Sequence, residues 1–305
     1  MATKIKTNKK PGKGGKITLG LFAILLLILI ITACIGLINA SLLRIRRAEV
    51  VLPDLPQGFD GKTILYASDI DIFGINTPAR AGALFNQLQS LQPDILVLGG
   101  DYTSSSLLSK LNHSEGSDDN TANVMKSRSD FFHYINAFQA PLGKYAIAST
   151  EDTQWQNLRQ VMEENGVKPL INEKYGLHIG DDTLWLVGIS GKVSRLDSVA
   201  TAFSKDDCVV VIAEGPDVLP VLLTSEASDN GSWVDLVLCG HTHGGQIRLL
   251  GRNVLSLSEA EQRFRSGWNT QSGTPILTSE GLGSEGINLR IGTVPEVWLI
   301  TLRKA

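Results

Sequence analysis

The sequence predicts an α/β domain preceded by one transmembrane helix, and three observations carry that prediction. An uncharged run from Ile17 to Leu43 is 27 residues long, more than the roughly 20 apolar residues a helix needs to cross the hydrocarbon core of a bilayer. Beyond it, apolar runs of strand length alternate with stretches of helical periodicity, the pattern of β-α-β units around a largely parallel sheet. Several of those runs end in an acid or a histidine. In open α/β sheets functional groups gather where strands stop at their carboxyl ends.

Charge divides the chain in two. Residues 1 to 48 carry nine of the 28 Lys and Arg and no acid, which leaves 19 basic against 31 acidic residues in the remainder. That acidic balance argues against nucleic acid as a partner, since a phosphate backbone demands a basic face. Residues 1 to 16 read as a basic cytoplasmic tail, 17 to 43 as the anchor, 44 to 60 as a connector and 61 to 305 as the domain. Lys4, Lys6, Lys9, Lys10, Lys13 and Lys16 outweigh Arg44, Arg46 and Arg47. The heavier basic flank stays inside, so the domain is expected outside the cytoplasm. Ile38-Asn39-Ala40 resembles a cleavage site and Ile31-Thr32-Ala33-Cys34 a lipoprotein box. The apolar run is nevertheless longer than a signal peptide's and continues past Cys34. Cys34, Cys208 and Cys239 all fall in apolar runs and give no disulfide framework.

Along the domain, Thr63 to Ala67 is a strand ending in Ser68-Asp69-Ile70-Asp71, and Thr77-Pro78 opens a helix reaching to about Leu91. Asp94 to Leu98 is a second strand ending in Gly99-Gly100-Asp101. Residues 103 to 129, rich in Ser, Asn and Asp, read as a polar insertion that holds His113, and Asp130 to Phe138 resumes helical periodicity. A strand at Tyr145 to Ala148 leads into Ser149-Thr150-Glu151-Asp152, and a helix follows from Gln154 to Asn165. Stretches around Tyr175 to Ile179 and Leu184 to Val187 read as antiparallel strands. Val209 to Ala213 ends at Glu214, and Val234 to Cys239 delivers Gly240-His241-Thr242-His243-Gly244-Gly245-Gln246. His133 and His178 are expected packed or solvated, and Trp185, Trp233 and Trp298 in the core or at its edges. Arg290 is expected exposed or salt-bridged, with an approach to the site from the closing segment as the alternative.

Two histidines two residues apart on an extended loop face opposite sides of the backbone and can touch two ions, and the flanking glycines permit close approach. Asp69, Asp101 and Glu214 stand at equivalent strand ends, and such a His-carboxylate set suits a divalent cation.

In order, Asp69-Ile70-Asp71, Gly100-Asp101, Ser149-Thr150-Glu151-Asp152, Glu214 and Gly240-His241-Thr242-His243 resemble the five sequence blocks of calcineurin-like metallophosphoesterases. The likeness is closest to their bacterial membrane-anchored branch, through Gly244-Gly245-Gln246, Gly281-Leu282-Gly283 and Leu289-Arg290-Ile291-Gly292. It spans roughly residues 50 to 303. The resemblance implies a four-layer metallophosphoesterase sandwich, two central mixed β-sheets flanked by helices. It also implies metal-dependent hydrolysis of a phosphoester or pyrophosphoester by a two-metal site. The family pattern places Asp101 between the metals, Asp69 and His243 on one and His241 on the other. Asp71 then stands where the family has His, Thr150 where it has a ligand Asn, Glu151 where it has the His serving the leaving group, and Glu214 where it has a ligand His.

The expected metal set is therefore Asp69, Asp71, Asp101, Thr150, Glu214, His241 and His243, with Glu151 and Asp152 in the catalytic positions. Four carboxylates turn a net charge of about +1 into about −1, which weakens the pull on a phosphate. An ionised Glu151 donates no proton. Crowded carboxylates still call for a cation, and oxygen-rich ligation favours one or two Mn, Mg or Ca ions. The expected partner is a phosphorylated small molecule or a lipid-linked phosphate, beside the membrane that the N-terminal helix engages. The same departures support an alternative, a catalytically impaired pseudoenzyme acting as a cation-stabilised binding module at the cell envelope. A serine nucleophile at Gly188-Ile189-Ser190-Gly191 is set aside, because Lys192, with Val193 beyond it, leaves no second glycine at the required place.

Overall fold

The computed structural model describes residues 13–104, 118–155, 157–191, 196–254 and 257–305. His113 and much of the polar insertion lie outside the described residues.

Helix α1, Lys13–Asn39, carries no charged residue after Lys16 and rises about 40 Å at 1.5 Å per residue. Its stretch Gly20–Asn39 has the length and hydropathy of a membrane span and is almost bare of protein contacts. The expected connector begins as a strand, β1 (Arg44–Leu52), which pairs in parallel with β14 (Glu296–Lys304) at a sheet edge. Its exposed arginines suit that edge position.

The first sheet runs β1-β14-β2-β3-β4-β5, where β2 is Thr63–Ala67, β3 Ile95–Leu98, β4 Lys144–Ala146 and β5 Lys168–Pro169. Strands β2 to β5 are parallel, and β14 runs against β2. The second sheet has the order β12-β13-β9-β8-β7-β6. Its members are β6 (Lys174–Ile179), β7 (Asp182–Ile189), β8 (Val209–Ala213), β9 (Leu236–Cys239), β12 (Gly267–Gln271) and β13 (Thr274–Thr278). Its centre is parallel and its two outer pairs antiparallel, the outer pair β6–β7 as the sequence predicts. A small hairpin, β10 (Arg248–Leu249) and β11 (Arg252–Asn253), follows the histidine loop.

Strand alternation builds the layers. Ile64, Tyr66, Ile95 and Val97 from the first sheet meet Leu186, Val210, Ile212 and Leu238 from the second in one fully buried core. The intervening Leu65, Ala67, Leu96 and Leu98 face helices α2 (Pro78–Leu88) and α3 (Asp118–Asn136), whose Phe85, Phe131 and Phe132 cover them. Across the second sheet, Val209, Val211 and Val237 pack under Phe203, Leu222 and Trp233. The four-layer arrangement is thus the expected one, a helix layer on each outer face of two packed sheets.

Thr77 caps α2 by accepting from the Arg80 N–H, with Pro78 in its first turn. Helix α3 starts earlier than its apolar periodicity, taking in Asp118 to Ser129. The helix expected from Gln154 to Asn165 is shorter: a 3-10 turn at Asp152–Gln154 precedes α4 (Leu158–Glu164). Short helices α5 (Asp197–Ala200), α6 (Leu219–Leu222) and α7 (Glu259–Arg263) complete the second outer layer.

Candidate metal centre

Parallel strands β2, β3, β4, β8 and β9 bring their carboxyl ends to one rim, and Asp69, Asp101, Thr150, Glu214 and His241 follow them there. Leaving the strands, the chain turns sharply. Asp69, Asp71, Asp101, His241 and His243 all have positive φ, from 43° to 70°. Left-handed backbone in residues with a Cβ is strain of the kind that collects at functional sites. The loops are stitched together, Asp69 N–H donating to Gly100 O at 3.1 Å and Asp71 N–H to Asp101 O at 2.8 Å. Gly281 lies over them with φ 71°, where a Cβ would come within 2.6 Å of the Asp69 Cβ.

The donor atoms of Asp101, Glu214 and His241 lie within 4.8 Å of one another. His241 Nδ1 sits 3.5 Å from Asp101 Oδ2, while its Nε2 is 3.6 Å from Glu261 Oε1. Its hydrogen bond with Asp101 raises the imidazole to about 10, so in the absence of a metal ion a proton occupies this carboxylate cage. Burial pushes Asp101 upward, yet the hydrogen bonds from His241 and Ser149 and the charges of His241 and His243 together outweigh it, and the carboxyl titrates below its usual range.

Asp69 is fully buried. Its Oδ1 accepts the His241 N–H at 2.7 Å and its Oδ2 the Ser68 hydroxyl at 2.6 Å. Burial, reinforced by Asp101, lifts it to about 7. Burial also lifts Asp71 well above the carboxylate range, with Asp101 and Asp69 adding to the effect. Burial first and Arg290 second hold His243 near 3 and therefore neutral, the state in which an imidazole offers a lone pair to a metal. Glu214 is raised by burial and by Asp101.

Of the expected ligands, Asp101, Glu214 and His241 bring donor atoms together, while Asp69, Asp71 and His243 lie on loops bonded to them or to one another. Thr150 plays a different part: its N–H and hydroxyl donate to Glu214 Oε2 at 2.9 and 2.8 Å, joined by the Gly191 N–H at 3.1 Å. Three donors on one oxygen fix the orientation of the Glu214 carboxylate. Asp152, expected in a catalytic position, is fully buried beneath the rim, where Arg128 donates to its Oδ1 at 2.8 Å and the Ser149 N–H to its Oδ2 at 3.1 Å. It holds the Ser149–Asp152 turn and does not face the pocket. Glu151 is exposed and lines a cavity of ≈ 630 Å³ with Glu214 and His241, walled by Ile189, Val218 and Val221.

One site residue escaped the sequence reading and another was expected elsewhere. Glu261 sits at the start of α7, where Ser258 and Glu261 form a capping box. That Ser-x-x-Glu signal is legible as a helix start but gives no hint of the neighbouring His241. Arg290, expected exposed or salt-bridged, is instead fully buried and lies 3.4 Å from His243 Nδ1.

The donor set fits a divalent cation. Asp71 Oδ2 is buried with no hydrogen-bond partner, an arrangement that costs free energy unless a cation satisfies it. Oxygens outnumber nitrogens, the preference of hard ions.

No family model matches the chain. It is 24% identical to an uncharacterised metallophosphoesterase, YkoQ of Bacillus subtilis, over 77% of this chain and 81% of that protein. It is 27% identical to the phosphodiesterase YaeI of Escherichia coli over 69% of this chain and 71% of that one. A transmembrane protein with a metallophosphoesterase domain from Danio rerio shares 23% identity over 94% of this chain and 64% of its own length.

Proposed function

From the chain's place among the calcineurin-like metallophosphoesterases, we propose that it is a membrane-anchored hydrolase of a phosphoester or pyrophosphoester, working with one or two divalent cations of the Mn, Mg or Ca kind. The observation that carries the proposal is the meeting of Asp101, Glu214 and His241 donor atoms within 4.8 Å at the strand ends, with Asp69, Asp71 and His243 on the adjoining loops. Bound divalent cations would supply charge neutralisation for the phosphoryl transition state and acidify the attacking water. Asp69, Asp71, Asp101, Glu214, His241 and His243 would hold them. Thr150 and Gly191 orient Glu214, and Glu261 orients His241. The acidic rim repels anions on its own, so a phosphate enters after the cation. The apolar wall of Ile189, Val218 and Val221 favours a substrate with an apolar portion, such as a lipid-linked phosphate. The lysine-rich N-terminal flank favours a domain outside the cytoplasm.

The test is turnover of aryl phosphate mono- and diesters by the full chain in detergent, with Mn, Mg, Ca and Zn supplied in turn. Hydrolysis above an Asp101→Ala control supports the proposal, and equal rates in the two proteins end it.

One observation favours a second reading, a cation-stabilised binding module. Thr150 donates both its groups to Glu214, and Glu151 stands where the family pattern has the histidine serving the leaving group. Under that reading, changing Asp71→His, Thr150→Asn, Glu151→His and Glu214→His together creates turnover absent from the parent. A parent already as fast as that variant rules it out.

A further inference from the structure

One buried cation lies behind the metal centre. The guanidinium of Arg290 donates to the Gly283 carbonyl through Nε at 2.9 Å and through a terminal nitrogen at 2.6 Å, and reaches the Gly281 carbonyl at 3.4 Å. It also donates to the His243 carbonyl at 3.5 Å. The Gly281–Gly283 strap is in turn bonded to the first acidic loop: the Leu282 N–H donates to Ser68 O at 3.0 Å and the Gly283 N–H to Asp69 O at 2.7 Å. A single side chain thus ties the strap that presses on Asp69 to the loop that carries His243.

Arg290 is itself held by the end of α1. Its N–H donates to the Gly36 carbonyl at 3.0 Å, and the Asn39 side-chain amide donates to its carbonyl at 3.3 Å. Gly36 is the one buried residue of the described stretch Gly20–Asn39, whose other residues are exposed or half-buried. A Cβ there would lie 2.6 Å from Leu289 Cδ1 and 3.2 Å from Ile291 Cγ1, so this closeness of helix and loop depends on the missing side chain.

We propose that the last turn of the apolar helix is a positioning element of the metal centre: Gly36 and Asn39 fix Arg290, and Arg290 fixes the Gly281–Gly283 strap and His243. The proposal rests on the strand-end cluster being a cation site. The helix that meets the membrane then also backs the ligands, and a domain freed of residues 1–43 keeps every ligand but loses that support.

The experiment uses the full chain in detergent micelles with Mn2+ as probe, read by titration calorimetry and by hydrogen exchange of the metal-free protein. Gly36→Val is expected to weaken Mn2+ binding by about tenfold, the usual cost of losing outer-shell support. It should also speed exchange of amides 281–285 by about tenfold through local opening. Asn39→Ala shifts both in the same direction by less. Adding Leu289→Ala to Gly36→Val relieves the collision and restores both readouts, which a general effect on the membrane helix would not do. Gly20→Val, where a Cβ meets nothing within 4 Å, leaves both unchanged. The proposal is overturned when Gly36→Val and Asn39→Ala match Gly20→Val in exchange. Wild-type protein that binds no Mn2+ defeats the cation reading instead, and exchange still decides the clamp.

Discussion

The buried Oδ2 of Asp71 lies 3.5 Å from Nδ1 of His243 and accepts no hydrogen bond. A carboxylate oxygen left unsatisfied in the interior costs about 1–3 kcal/mol or more. A cation between strand-end acids and a neutral imidazole removes that cost, and the predictions below turn on it or on the scaffold around it.

Divalent cation should stabilise the fold. At a hundredfold excess over Kd a ligand specific to the native state adds about 2.7 kcal/mol, or roughly 5 °C in Tm for a domain of this size. Thermal melting with Mn2+ against EDTA measures it, and superimposable curves would speak against a native cation site.

Asp71→Asn should separate the two roles of that carboxyl. It replaces a costly buried acid with a neutral amide, so the metal-free variant melts at or above the wild-type temperature. Mn2+ affinity falls by about 10- to 100-fold. A variant that loses stability in EDTA yet binds Mn2+ normally would contradict this account of Asp71.

Breaking the pair of Arg128 and Asp152 should be a pure stability lesion. Both side chains are almost fully buried and 2.8 Å apart. Removing one partner from a buried pair costs about 3–5 kcal/mol. Arg128→Ala is therefore expected to lower the denaturation midpoint strongly, measured in urea with metal absent.

A pH effect is expected far from the metal centre. Burial, with Asp54 nearby, pushes Asp235 to about 7, while its Oδ2 accepts the Val209 N–H at 2.7 Å. Because the folded state holds this proton above the ordinary carboxylate range, its contribution is full below about pH 4 and is lost as pH rises through 7. Asp235→Asn should flatten that slope, gaining roughly 1 kcal/mol over wild type at pH 8 once partial exposure is discounted. The gain should vanish near pH 4, as urea titrations at the two pH values will report.

What was legible in the sequence follows from where each residue lies. The parallel strands at Thr63, Asp94, Val209 and Val234 are buried on both faces, so they read as unbroken apolar runs, and the polar residue ending each run marks the rim. Strand β1 was hidden because an edge strand carries exposed arginines and finds its partner β14 some 250 residues away. The convergence of Asp69, Asp101, Glu214 and His241 follows from strand order and was readable. The positions of Glu261, Asp152 and Arg290 were not, since helix docking and burial of a charge are set by tertiary packing. Asp152 sits next to the rim in sequence, yet Arg128 on α3 draws it beneath the turn.

The central claim is that the strand-end cluster holds a divalent cation. Calorimetric titration of the metal-free full chain with Mn2+, beside Asp101→Ala, tests it most directly. One or two equivalents bound by wild type, with binding lost in the variant, is the predicted result; no heat of binding in wild type, or the same stoichiometry and affinity in both proteins, would contradict it.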